Sequence, residues 1–506
     1  MDSKSDSPSH PRQFSAIIAG NIDGRTDNVR YRQRQFHRLQ ASILQHLTEL
    51  KEAISQDSGH SEEEVQTEVC LSLKEIRSHY SSLNFEKSVQ VEYRVARGED
   101  NVDRKKGAGI VYIIPSTHTI FYSVIAALSA ALAAGNCIIV ELPKTTSRVT
   151  ALLRGVLTGA LDSDTFAISE SRPDAEFLST TRVLNQQSSD RLTPSILESP
   201  NTLRTVAVVD RTANLQEAAI DLVRARFAFN GSSPYAPDVV LVNQFFMQPF
   251  VELVIKHVAK HVGSDNRGSN SLPKRPRQSS VLDQIGSEKG AKVIVSGTGW
   301  GVALIQDRLN LTRHSDSPLL RTIISEKLLL LHPVSSLDDA INLCNAYVIW
   351  TVALSSSLKQ LTSSGTHAAT YTFASAGAGK YVSESIDAHT AWINHVPYDI
   401  LVGPVVAHSH PVDLNTRYTT EHFEVPRPQV VNRTVNTTIA RALLEGKLVQ
   451  SDRSLQEILS PLPAIQQRPG HKIGFFEQGI ITGGLITLTS LITIVSAAGY
   501  WALRMR

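Results

Sequence analysis

The stretch RFAFNGSSPYAPDVVLVN, Arg226 to Asn243, is built like the approach to a catalytic nucleophile: small, turn-forming residues lead into an apolar run that reads as a strand. Within it stands Pro234, which has no nucleophilic side chain and no backbone N–H. Ser232 and Ser233 precede it, and each carries an alcohol that attacks only when a base removes its proton. The two serines are therefore candidates for chemistry, and Pro234 supplies none.

Other groupings carry less. SGTGWG, Ser296 to Gly301, has the composition of a phosphate loop but follows the apolar run AKVIV and reads as a hairpin turn. SAGAGK, Ser375 to Lys380, lacks the spacing of a P-loop and is expected in a loop. The histidines of HSH, His408 to His410, have no carboxylate partner in metal-ligand spacing, and Cys70, Cys137 and Cys344 form no CxxC or Cys/His cluster, so no metal site is expected. Fifty basic and 48 acidic residues leave a net charge of +2, with no basic stripe, which excludes nucleic acid as an expected partner.

The scaffold around these residues follows from periodicity. Asn28 to Gln56 and Glu63 to His79 read as opening helices. GIVYIIP from Gly109, the small-residue helix IFYSVIAALSAALAAGN and the strand CIIVEL make a βαβ unit, and TVAVVD from Thr205 adds another buried strand. The alternation predicts doubly wound parallel sheets. Gly479 to Leu503 runs 25 residues without a charge, ends on Arg504 and Arg506, and is long enough to span a bilayer as a helix. A C-terminal single-pass anchor, in the endoplasmic reticulum or another organelle membrane, with the bulk of the chain in the cytosol, is the resulting expectation.

Five segments in order resemble the aldehyde dehydrogenase superfamily: GRTDNVRYRQRQFHRLQASILQHLTEL, SAALAAGNCIIVELP, NGSSPYAPDVVLVN, GAKVIVSGTGWG and SSLDDAINLCN. The tripeptide APD, Ala236 to Asp238, and the apolar C-terminal segment favour the class 3, fatty-aldehyde branch. The resemblance implies two doubly wound α/β domains with N-terminal helices. On that basis the chain divides into a polar tail (1–23), helices with a Rossmann-like cofactor-type domain (24–210), a catalytic-type α/β domain (211–405), an extension and linker (406–478) and the anchor (479–503). The family also implies a homodimer.

Matched residue by residue, the resemblance implies a degenerate site. The family's GQxC is here Gly231, Ser232, Ser233 and Pro234, and its oxyanion-binding asparagine falls on His118 of PSTHTIF. A histidine still donates a hydrogen bond to an oxyanion. The general-base glutamate, part of an LGGK-type segment, has no equivalent read between Asp162 and Thr205. The lysine that holds the cofactor ribose falls near Glu141, and the glutamate of the EIFGP segment on Ile323, so both cofactor-binding positions have lost their ligand types. The expectation is thus a membrane-anchored, aldehyde dehydrogenase-like protein without aldehyde oxidation, binding no cofactor and serving as a binding or accessory member of a pathway. The alternative is a divergent NAD(P)-dependent oxidoreductase acting on a long-chain or pathway aldehyde at a membrane surface.

Overall fold

The computed structural model describes residues 14–187, 196–199, 203–265, 282, 285, 290–307, 325–355, 366–407, 410–446, 453–464, 466 and 474–504. The chain opens with helices α1 (Ser15–Asp23), α2 (Val29–Gln45), α3 (Leu47–Ser58), α4 (Glu62–Ser82) and α5 (Phe85–Glu92). Their starts follow local chemistry. Asn28 caps α2 by accepting from the N–H groups of Arg30 and Tyr31, and Ser61 and Glu64 form a capping box on α4. The single long helix expected from Asn28 to Gln56 is broken at His46. The expected polar tail is also corrected: from Ser15 the chain is helical, and Phe14 and Ile17 are buried beneath the first sheet because they supply apolar cover that β2 and β3 need on that face.

Next come β1 (Lys105–Gly107), β2 (Ile110–Ile114), α6 (Ile120–Ala133), β3 (Cys137–Glu141), α7 (Arg148–Ala160), β4 (Phe166–Ser169), α8 (Ala175–Ser179), β5 (Arg182–Asn185) and β6 (Ile196–Glu198). β2 to β6 form a parallel sheet in the order β4-β3-β2-β5-β6. α6 is apolar around its whole circumference, and every residue from Phe121 to Ala133 is buried between this sheet and α4.

The second sheet is built from β7 (Thr205–Val209), α9 (Leu215–Phe227), β8 (Val239–Asn243), α10 (Met247–Asp265), β9 (Ala291–Gly297), β10 (Trp300–Ile305), β11 (Lys327–Val334), α11 (Leu337–Ser355), β12 (His367–Phe373), α12 (Ala376–Ser385) and β13 (Ala388–Ile393). Its order is β13-β12-β7-β8-β11-β10-β9, parallel except for the β9–β10 hairpin, whose turn is the SGTGWG segment as expected. Two expectations change. β7 pairs with β8 and β12, so it belongs to this sheet rather than to the first. SAGAGK does not lie in a loop, because Ala376 opens α12 with Ser375 as its N-cap.

The remaining elements are β14 (Glu424–Pro426), α13 (Val435–Leu444), α14 (Arg453–Leu459) and α15 (Phe475–Arg504). The segment expected to be extension and linker is partly core: Tyr418 and Phe423 are fully buried, and β14 pairs antiparallel with β1. Both sheets belong to one compact unit, residues 1–375 with 382–431; residues 376–381 with 432–506 form a second. Within the latter, α15 contains a stretch, Glu477–Ala498, of mean hydropathy 1.9 that is unburied and long enough to cross a membrane.

Candidate functional site

The turn that precedes Pro234 is held in a conformation that its side chains resist. After α9 the chain reverses through Phe229 (φ 49°), Asn230 (φ 56°) and Gly231 (φ 72°), all in the left-handed region. A non-glycine residue there costs roughly 1–2 kcal/mol, so other contacts must fix it. Glu64 does so: the same carboxylate that closes the α4 capping box accepts the Phe229 N–H at 2.6 Å. Asn230 donates its side-chain N–H to the Ser58 carbonyl at 3.1 Å. The Phe229 ring packs edge-on against His60 and His118, with centroids 5.2 and 6.0 Å apart. A Cβ on Gly231 would sit 2.2 Å from the Glu326 carbonyl oxygen, so only glycine fits.

Pro234 itself is buried, and its carbonyl accepts the Thr205 hydroxyl at 3.0 Å. Ser233 is buried too, its hydroxyl oxygen accepting the Tyr235 N–H at 3.3 Å. Ser232 differs: it is partly exposed, and its Oγ lies 2.6 Å from the Phe229 carbonyl oxygen and 3.2 Å from His118 Nδ1. Asp238 of the APD tripeptide is buried between Arg204 at 3.5 Å and Arg226 at 3.9 Å, an ion cluster that anchors the start of β8.

His118 arrives from the loop between β2 and α6. Its Nε2 lies 2.9 Å from the Leu401 carbonyl oxygen, which can only accept. The neutral ring therefore carries its proton on Nε2 and leaves the Nδ1 lone pair facing Ser232. Burial pushes the ring well below the ordinary histidine value, to about 4, with His60 and Arg417 adding to the effect, so the ring is neutral at physiological pH. A cavity of about 160 Å³ is lined by Glu75, Tyr122, Trp392, Ile400, Val406 and Arg417, among others, with Ile400 next in sequence to the Leu401 that holds His118.

None of the three cysteines lies in the turn that leads to Pro234. Cys137 lies in β3 and Cys344 in α11, both buried and pushed up to about 12, while Cys70 is exposed on α4 with its sulfur accepting from Gln66. Among the described residues no group of acidic, histidine and cysteine side chains has metal-site geometry. Of the HSH segment, His410 stacks on His422 with ring centroids 4.8 Å apart, and His408 and Ser409 lie outside the described residues.

Of the two positions read as cofactor-binding, Ile323 lies outside the described residues. Glu141 ends β3, at the carboxyl edge of the first sheet, where dinucleotide-binding folds present an acceptor to a ribose. It accepts the Tyr112 hydroxyl at 2.8 Å and pairs with Arg172 through two contacts of 3.1 Å. An anchored carboxylate beside a half-exposed guanidinium fits a ribose hydroxyl. β5 and β6 are separated only by residues 186–195, fewer than the dozen or more of a usual helical crossover.

The structure also offers a residue that motif reading passed over. Glu198 ends β6, the last strand of the first sheet, between Asp162 and Thr205. The carboxyl end of a strand before the crossing into the second sheet was the signal available.

The family model "Aldehyde dehydrogenase family" matches residues 25–163. Aldehyde dehydrogenase family 3 member B1 of Rattus norvegicus is 25% identical over 346 residues, 64% of this chain and 72% of the relative. Aldehyde dehydrogenase C of Pseudomonas syringae, a mutant solved with NAD+ and octanal, superposes with a TM-score of 0.60 at 16% identity, covering 83% of this chain and 88% of its own. Succinic semialdehyde dehydrogenase of Streptococcus pyogenes, solved with NADP+, gives 0.58 at 13% identity, covering 85% and 96%. These matches overturn the expectation that no cofactor belongs here: proteins of this fold hold NAD+ and NADP+, and the changed residues at two positions were too narrow a ground for excluding them.

Proposed function

We propose that this chain, which belongs to the aldehyde dehydrogenase superfamily with class 3 kinship, is a membrane-anchored NAD(P)-binding member that does not oxidise aldehydes through a thiohemiacetal. The observation that carries the reading is Pro234, buried at the nucleophile's place with all three cysteines of the chain located elsewhere. Thiohemiacetal formation needs a thiolate at the aldehyde carbon, and no conformational change converts proline into one. Losing a covalent nucleophile alone costs several orders of magnitude in rate.

Glu141 would accept a ribose hydroxyl, with Arg172 holding its carboxylate in place. The nucleotide, when bound, supplies a hydride acceptor. α15 would hold the folded body at a bilayer surface, where a partner or a lipid-like ligand of the same pathway is met. Partner binding rather than turnover is then the role of the cleft.

The test measures nucleotide binding and aldehyde-dependent nucleotide reduction side by side, with short and long aliphatic aldehydes. Saturable binding without reduction is expected. Reduction by the natural protein would sink the reading in favour of a second one, a divergent oxidoreductase, which draws its support from Glu198 at the end of β6.

A further inference from the structure

Glu75 of α4 keeps one carboxylate oxygen occupied and the other idle. Its Oε1 accepts the Tyr122 hydroxyl at 2.7 Å and the Arg417 backbone N–H at 2.8 Å. Its Oε2 is buried and, among the described residues, has no hydrogen-bond partner. His79 Nε2 lies 3.5 Å from that oxygen without forming a hydrogen bond, and it lacks a partner of its own. A buried acceptor left unpaired loses its water without compensation, so a side chain 3% exposed in this state points to a donor that comes from outside the chain. Glu75 lines the cavity of about 160 Å³, against the roughly 10–15 Å³ that one water needs.

The charges around the cavity choose the sign of the ligand. Asp399 and Asp413 join Glu75 in its wall, and Lys74 and Arg417 oppose them. Three formal negative charges against two positive ones leave a surplus of one negative charge. Arg417 is already engaged by the chain itself, donating through its guanidinium to the carbonyls of Pro404 at 2.6 Å and Val402 at 2.8 Å, and Lys74 is exposed. Buried charge calls for a counter-charge, so a single positive group completes the cavity. The rest of the wall is apolar, with Leu71, Val406 and Val412 facing the rings of Tyr122 and Trp392. Trp392 is held in place by donating its ring N–H to the Thr390 hydroxyl at 3.2 Å, and an aromatic face attracts a cation.

We propose that this cavity binds a primary alkylammonium ion, which donates an N–H to Glu75 Oε2 and lays its alkyl chain on the apolar wall. The inference rests on reading the cleft as a place of binding rather than turnover, and it names the class of ligand. A quaternary ammonium has the charge but no N–H for the idle oxygen. An alcohol has the donor but leaves the surplus charge unbalanced, and a carboxylate adds to that surplus. The primary ammonium answers both demands at once.

The experiment titrates the full chain in detergent at neutral pH with n-butylammonium, n-butanol and butanoate in turn, by calorimetry and without nucleotide or aldehyde. Saturable one-to-one binding of n-butylammonium is expected, at least tenfold tighter than that of the alcohol or the acid. Glu75→Gln keeps an acceptor for Tyr122 and Arg417 but removes the charge, and should weaken n-butylammonium binding at least tenfold. Leu71→Trp fills the cavity without altering a charge and should abolish binding. Thermal unfolding identifies any variant that fails to fold; should Glu75→Gln do so, Leu71→Trp together with the alcohol comparison decides the matter. No saturable binding by the natural protein, equal affinity for n-butanol, or unchanged affinity in a folded variant overturns the proposal. Nucleotide binding and aldehyde-dependent nucleotide reduction, measured on separate samples without amine, bear on the functional reading alone.

Discussion

Replacing Pro234 with cysteine would return a thiol to a buried turn, but not the conditions that make it react. A thiol needs a base within reach, and His118, the imidazole beside the turn, faces Ser232 instead. Pro234→Cys is therefore expected to give no NAD(P)-linked aldehyde oxidation, measured as reduced-nucleotide formation; turnover by the variant alone would show that base and cofactor sites are competent. Gly231→Ala should cost more than about 2 kcal/mol in thermal or denaturant unfolding, because its φ of 72° and a Cβ 2.2 Å from the Glu326 carbonyl oxygen both oppose a side chain. An unchanged unfolding midpoint would show that the turn relaxes. The aligned motif made Pro234, Ser232 and His118 visible in the sequence. Their contact was not visible, because it joins residues 114 positions apart and depends on a left-handed turn that Phe229 and Asn230, as residue types, do not announce.

The packing of α4 on α6 contains an acid whose environment favours its neutral form. Glu68 is buried, accepts the backbone N–H of Tyr122 at 3.3 Å, and is raised from 4.5 to about 7, chiefly by burial. Its folded value exceeds its unfolded one, so between those values the folded state holds more protons. Its contribution is fully present below about pH 4.5 and is lost as pH rises towards 7, by on the order of 3 kcal/mol. Glu68→Gln should therefore flatten the dependence of unfolding free energy on pH between 5 and 8 and stabilise the protein most at the upper end. A parallel curve for both proteins would refute it. Periodicity revealed α6 and β2, β3 and β8, since uninterrupted apolar runs leave few alternatives. It did not reveal which sheet β7 joins, because a buried parallel strand looks the same in either, nor that α1 is packed, because the short apolar run FSAIIAG directly follows a polar stretch.

The compact unit that carries both sheets has its own core, and α15 contributes no residue to it. Deleting residues 475–506 should move the protein from the membrane pellet to the soluble fraction while leaving its thermal transition unchanged. Truncated protein that stays in the pellet after carbonate washing would show that another surface binds the bilayer. The apolar stretch was legible from composition alone, as was the family resemblance from five ordered segments. The join between the first sheet and residues near 420 was not legible, since Tyr418 and Phe423 sit in a stretch whose polar, proline-containing composition reads as linker.

That join has a consequence in time. β1 and β14 are neighbours in space, yet everything from residue 108 to residue 423 must be synthesised between them. At the usual pace of translation the delay is on the order of tens of seconds, during which β1 has no partner strand and the Asn136 side chain lacks the Phe423 carbonyl that it finally binds. The first sheet can assemble early on the ribosome, but its seal arrives late. The edge of β1 thus stays unpaired until residue 426 emerges.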